Sequence, residues 1–151
     1  MRNTLTKMRD QRAKDDRGFT LIELLVVVVI IGVLVAIAIP VYLNYTKGAQ
    51  KKSALSDVRN AVLTVELCYS ESNSTYPTAG TQGSGVDINK MTFTGCASKA
   101  VISPEVVLTY TPTGTPVASY TLVGRHSNTD KKYTYVSTAG GSPVESAYVA
   151  P

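Results

Sequence analysis

Apolar and polar positions fall into four successive patterns along the chain. Residues 1–18 carry a charge at nearly every second position. Residues 19–43 read FTLIELLVVVVIIGVLVAIAIPVYL, apolar almost throughout and broken by one charged side chain, Glu23. The apolar residues then thin to helical spacing. Leu55, Val58, Val62, Val65 and Tyr69 recur three or four apart, flanked at intervals of seven by Ala54, Ala61 and Cys68, so one face is prepared for a core. No strong stop intervenes, and the pattern predicts a single helix from 19 to about 71. From about 72 to 103 Ser, Thr, Gly and Asn dominate, which predicts a long surface connection. Segments 106–111, 119–125 and 132–138 are rich in Val, Tyr and Thr and separated by turn residues. They predict three antiparallel strands, with a further one at 147–149. The apolar stripe of the helix would cover one face of that meander.

An apolar helix of ~20 residues matches the ~30 Å hydrocarbon core of a bilayer. A carboxylate inside such a span costs roughly 2.5–3.5 kcal/mol and ordinarily marks a functional pairing. Gly32 weakens the helix by about 1 kcal/mol relative to Ala, and Pro40 removes a backbone donor. Between them lies a run rich in β-branched residues, where local unwinding is cheapest.

Arg17, then Gly18-Phe19-Thr20-Leu21-Ile22-Glu23-Leu24-Leu25, continuing to Gly32 and Pro40, resembles the signal of type IV prepilins and pseudopilins. An ordinary signal peptide is cut after its apolar core; in this family the cut precedes it. The resemblance implies cleavage after Gly18, N-methylation of the new terminus at Phe19, and pairing of Glu23 with the Phe19 amine of a neighbouring subunit. It also implies melting of the Gly32–Pro40 segment during assembly. The implied fold is α+β and type IV pilin-like, with a long N-terminal helix, its hydrophobic half protruding, packed on a small antiparallel sheet. The chain then divides into a leader (1–18), a transmembrane or filament-core helix (19–43) and a head (44–151). The head comprises helix to 71, loop 72–103 and meander 104–151. The implied role is that of a structural subunit, a helical homopolymer in an extracellular pilus. Its partners are copies of itself, a prepilin peptidase/methyltransferase, the pilus assembly machinery and, before assembly, the membrane. A pseudopilin or minor pilin of a secretion or DNA-uptake system is one alternative, and a monomeric membrane-anchored binding domain another.

Charge sharpens this picture. The net charge of +4 comes mostly from the leader, where Arg2, Lys7, Arg9, Arg12, Lys14 and Arg17 oppose Asp10, Asp15 and Asp16. The remainder is nearly neutral, which does not support a general grip on nucleic acid. Arg125, Lys131 and Lys132, around one turn, are expected to be a solvated hairpin rim, with a small DNA- or surface-binding patch as the other reading. Basic residues in the leader orient the amino end to the cytoplasm, and Lys47, Lys51, Lys52 and Arg59 on the far side weaken that bias. Cys68 and Cys96 then lie outside the cytoplasm, where a disulfide can persist. A bridge would tie the loop to the end of the long helix; two separately buried thiols are the other reading. Metal binding would need more ligands than these and His126, which falls at a strand end and is expected to face solvent. No phosphate loop, catalytic triad or carboxylate pair is present, and neither cofactor nor metal is expected.

Overall fold

The computed structural model describes residues 19–83 and 89–149. Helix α1 runs from Leu21 to Glu71, 51 residues, and carries Pro40 in its interior. The chain separates into two compact units, Met1–Leu43 and Asn44–Pro151.

In the first unit every described side chain is exposed. Val, Ile and Leu at 21–43 surround the helix on all sides, so nothing within the unit can bury them. This is the condition of a helix whose solvent is lipid or other chains.

In the second unit, residues 44–71 of α1 lie against two antiparallel sheets. The first comprises β1 (Gly80–Gln82), β2 (Lys90–Phe93) and β3 (Lys99–Val101), in the order β1-β2-β3. The second is a meander of β4 (Val106–Thr113), β5 (Ser119–His126), β6 (Lys131–Val136) and β7 (Val144–Ala147). The meander matches the sequence expectation, except that its last strand lies a few residues earlier. The stretch 72–103 is not plain loop, because it holds β1 to β3. Strands of three or four residues span at most two side-chain alternations, too few to register as period two. The sheets join through Gln82. Its side-chain amide donates to the Val106 carbonyl (2.9 Å) and accepts from the Leu108 amide (3.0 Å). It thereby pairs with the β4 edge much as a strand peptide would, shielding it.

The helix face turned to the sheets is centred on Ala54, Val58, Ala61, Val65 and Cys68, all fully buried, with Leu55 and Val62 only partly so. Small residues let the sheet approach closely. Gly124 in β5 completes that approach, since a Cβ there would lie 2.6 Å from Leu108 Cδ2 and closer still to Val58 Cγ2. Gly124→Ala therefore overpacks the core. It should destabilise the head by about 1–3 kcal/mol and lower its melting temperature, read by circular dichroism on the full chain in detergent. An unchanged melting temperature would mean that α1 and β5 are not packed this closely.

Candidate functional site

Thr20 precedes the first turn of α1 and caps it. The Thr20 amide and hydroxyl both donate to Glu23 Oε2 at 2.8 Å, and the Glu23 amide donates back to Thr20 Oγ1 at 3.3 Å. This is a reciprocal capping box, in which a carboxylate at the third helical position satisfies a free backbone donor. It also places negative charge at the positive end of the helix dipole. Only local contacts hold the carboxylate, and Ile22, Val26 and Val27 beside it are exposed. Phe19, 88 % exposed, is the first described residue; Gly18 and the leader lie outside the described residues. Sequence reading singled out Glu23 but not Thr20. The signal was present as Thr-x-x-Glu ahead of an apolar run.

Gly32 sits in open surroundings within the helix, and α1 continues through Pro40. The tertiary amide at Pro40 leaves a gap in the backbone ladder. Both positions lie in the stretch whose side chains find no packing partner within the unit.

In the head, Cys68 of α1 and Cys96, in the turn between β2 and β3, form a disulfide with a Cα–Cα distance of 5.5 Å. Beside it runs a set of contacting rings. Tyr69 meets Tyr76, Tyr76 meets Tyr120, and Tyr120 meets Tyr110 and Tyr135, with centroids 4.4–5.8 Å apart. Tyr120 donates to Glu66 Oε1 at 2.7 Å and Tyr110 to the Pro77 carbonyl at 2.9 Å. Burial pushes the Tyr110 phenol up to about 12 and moves Tyr120 further in the same direction, so both remain donors.

Asp57, also on α1, is buried and accepts from the Ser103 amide (2.7 Å) and hydroxyl (3.2 Å). Burial raises its pKa above the ordinary value of 3.8, and the Ser103 hydrogen bonds only partly offset this. The folded state therefore holds a proton more tightly than the unfolded chain. Asp57 costs stability above its raised pKa, and that cost disappears as pH falls toward 3.8. Asp57→Asn keeps an acceptor for Ser103 and removes the charge. It should equal or exceed the parent in stability at pH 7 and lose the advantage near pH 3, in chemical denaturation run at both pH values. A variant weaker at pH 7 than at pH 3, relative to the parent, would contradict this sign.

One expectation about the rim is corrected. His126 is buried rather than solvent-facing, because the alternation of β5 turns Tyr120, Leu122, Gly124 and His126 inward together. Its Nδ1 accepts from the Asn128 amide at 3.2 Å, and its Nε2 lies 3.9 Å from Glu105 Oε2. Of the three basic residues nearby, Arg125 and Lys132 are register partners across β5 and β6. Arg125 lies over the Tyr148 ring (4.2 Å to the centroid), and Lys131 sits 3.8 Å from Glu145.

Comparison with known proteins bears on the amino-terminal part. Residues 13–39 match the family described as the prokaryotic N-terminal methylation motif. A fimbrial protein of Pseudomonas aeruginosa is 58 % identical over 45 residues, 30 % of this chain and 29 % of the relative. The type IV major fimbrial protein FimA of Dichelobacter nodosus is 48 % identical over 52 residues, 34 % and 33 % of the two chains. The type II secretion system core protein G of Dickeya chrysanthemi is 40 % identical over 76 residues, 50 % and 48 % of the two chains. The chain thus spans less than half the length of each of these relatives. No solved structure matches it. A capped apolar helix with one carboxylate near its start, in a segment that matches the N-terminal methylation motif, makes the amino-terminal part of this chain similar to that of fimbrial proteins and of a type II secretion-system core protein.

Proposed function

We propose that the chain is a structural subunit of an extracellular type IV pilus, cleaved after Gly18 and assembled through its apolar amino-terminal helix. The carrying observation is that helix itself, exposed on every side at 21–43 and bearing a single carboxylate. Such a surface is stable in lipid before assembly and among copies of itself afterwards. Cleavage leaves an α-amine at Phe19, about one helical turn from Glu23. In a dry filament interior a carboxylate without a partner is costly, whereas one matched to a neighbour's amine is tolerated and fixes register. Glu23 is the assembly residue in this reading, Phe19 is the N-methylated terminus, and the stretch from Gly32 to Pro40 melts as the subunit leaves the membrane. The chain serves as building material, and the chemistry of processing and assembly belongs to a prepilin peptidase/methyltransferase and an assembly machine. Its amino end faces the cytoplasm in the precursor.

A pseudopilin of a type II secretion system is the second reading, supported by the 76 residues shared with core protein G. Electron microscopy of the cell surface separates the two. Long fibres that react with antibody to the head, and whose subunits have an intact mass beginning at Phe19, carry the first reading. Processed protein confined to the envelope carries the second. A mature terminus other than Phe19 overturns both.

A further inference from the structure

The positions directly after the apolar stretch combine features that neither cleavage nor the pairing of Glu23 uses. Tyr42 and Tyr45 are 66 % and 78 % exposed. Lys47, Lys51 and Lys52 follow within two turns of Tyr45. Lys51 turns to Asp130, 4.0 Å away. Lys47 and Lys52 are exposed and have no carboxylate partner among the described residues. Asn44, Tyr45, Gly48, Ala49 and Lys52 line an open notch of about 380 Å³ along one face of the helix. Gly48 leaves its floor clear, with nothing within 4 Å of where a side chain would stand.

Two uncompensated cations here are out of place by charge alone. In the orientation proposed above they lie on the far side of the membrane, where basic residues oppose the topology set by the leader. Their cost falls if the membrane surface supplies the missing anions. Tyrosine rings favour the headgroup level, and a lysine near an anionic surface gains about 1 kcal/mol, roughly fivefold in binding. The Tyr45 hydroxyl and the Asn44 amide add hydrogen-bonding groups at the same depth, and the Gly48 floor admits a phosphate close to the helix.

We infer that Asn44, Tyr45, Gly48 and Lys52, with Lys47 beside them, form a binding site for the phosphate headgroup of an anionic phospholipid in the leaflet facing away from the cytoplasm. The site holds the subunit at a set depth before assembly. It rests on the membrane-spanning reading of 19–43, and the ligand is a lipid phosphate rather than free phosphate.

The test uses the full chain in nanodiscs of equal parts phosphatidylglycerol and phosphatidylcholine, with native mass spectrometry of the lipids retained on release. Recovery of the chain in the discs is scored first; failure to insert refutes the membrane reading itself. With insertion intact, the wild type should retain phosphatidylglycerol several-fold over phosphatidylcholine. Lys47→Gln with Lys52→Gln should abolish that preference by removing the cations. Gly48→Leu should weaken it by filling the notch at unchanged charge, while Lys99→Gln, on the exposed edge strand β3, should leave it intact. Equal retention of both lipids by the wild type, or full preference in the double variant, overturns the site. Loss of the bound lipid to inorganic phosphate at constant ionic strength overturns the assignment to lipid.

Discussion

Glu23→Val should leave the membrane pool of processed protein at its normal level and reduce surface fibres at least tenfold. Removing a carboxylate from the span favours insertion by roughly 2.5–3.5 kcal/mol, and the cleavage site lies nearer Gly18, so the early steps survive. Docking does not. Breaking a buried charge pair by deleting one partner costs about 3–5 kcal/mol, here the Phe19 amine stranded in the filament interior, and the loss recurs at every subunit added. The capping box introduces a second way for the variant to fail, because Val also deprives the helix of its contacts to Thr20. Glu23→Gln separates the two. Glutamine serves a capping box but brings no charge. Fibres absent from both variants, at normal membrane levels, assign the effect to charge. Normal fibres from Glu23→Gln would reduce Glu23 to a helix cap and remove its register role.

Cys68→Ala combined with Cys96→Ala should destabilise the head by about 3–4 kcal/mol on the chain-entropy estimate for a bridge spanning 28 residues. In a small domain this corresponds to a drop in melting temperature of more than about 10 °C. The loss should fall unevenly. Strands β1 to β3 contain three, four and three residues, and a sheet that short has little stability of its own. It is secured by the disulfide at one point and by the Gln82 contacts to β4 at another. Hydrogen exchange should therefore quicken at Met91 and Ala100 before it does at Leu122 in the meander, and proteases should cut first within 72–103. Thiols that titrate freely in denatured, unreduced fibres would show that the bridge does not form in the assembled protein. Uniform loosening of both sheets would show that it does not act on the first sheet in particular.

Local pattern determined a good deal of this protein. An unbroken apolar run, a glycine at its charged border and a single carboxylate specify a capped helix that requires lipid or its own kind, because no fold of this length could enclose it. Runs rich in Val, Tyr and Thr between turn residues likewise marked β4, β5 and β6. The inward side of β5 was legible too: counting by twos from Tyr120 reaches His126, although its place at a strand end suggested solvent. What tertiary structure alone decided is non-local. The core face of α1 takes in Ala54, Ala61 and Cys68 with Val58 and Val65, while Leu55 and Val62 are only partly buried, and Gly124 brings β5 close to Ala54 and Val58. Strands β1 to β3 exist through pairing partners and a disulfide, not through propensity. Gln82 became a joint between sheets, and Arg125 and Lys131 found Tyr148 and Glu145, because strand register brought those groups together. Sequence spacing states which side a residue faces, but it does not state what will stand opposite.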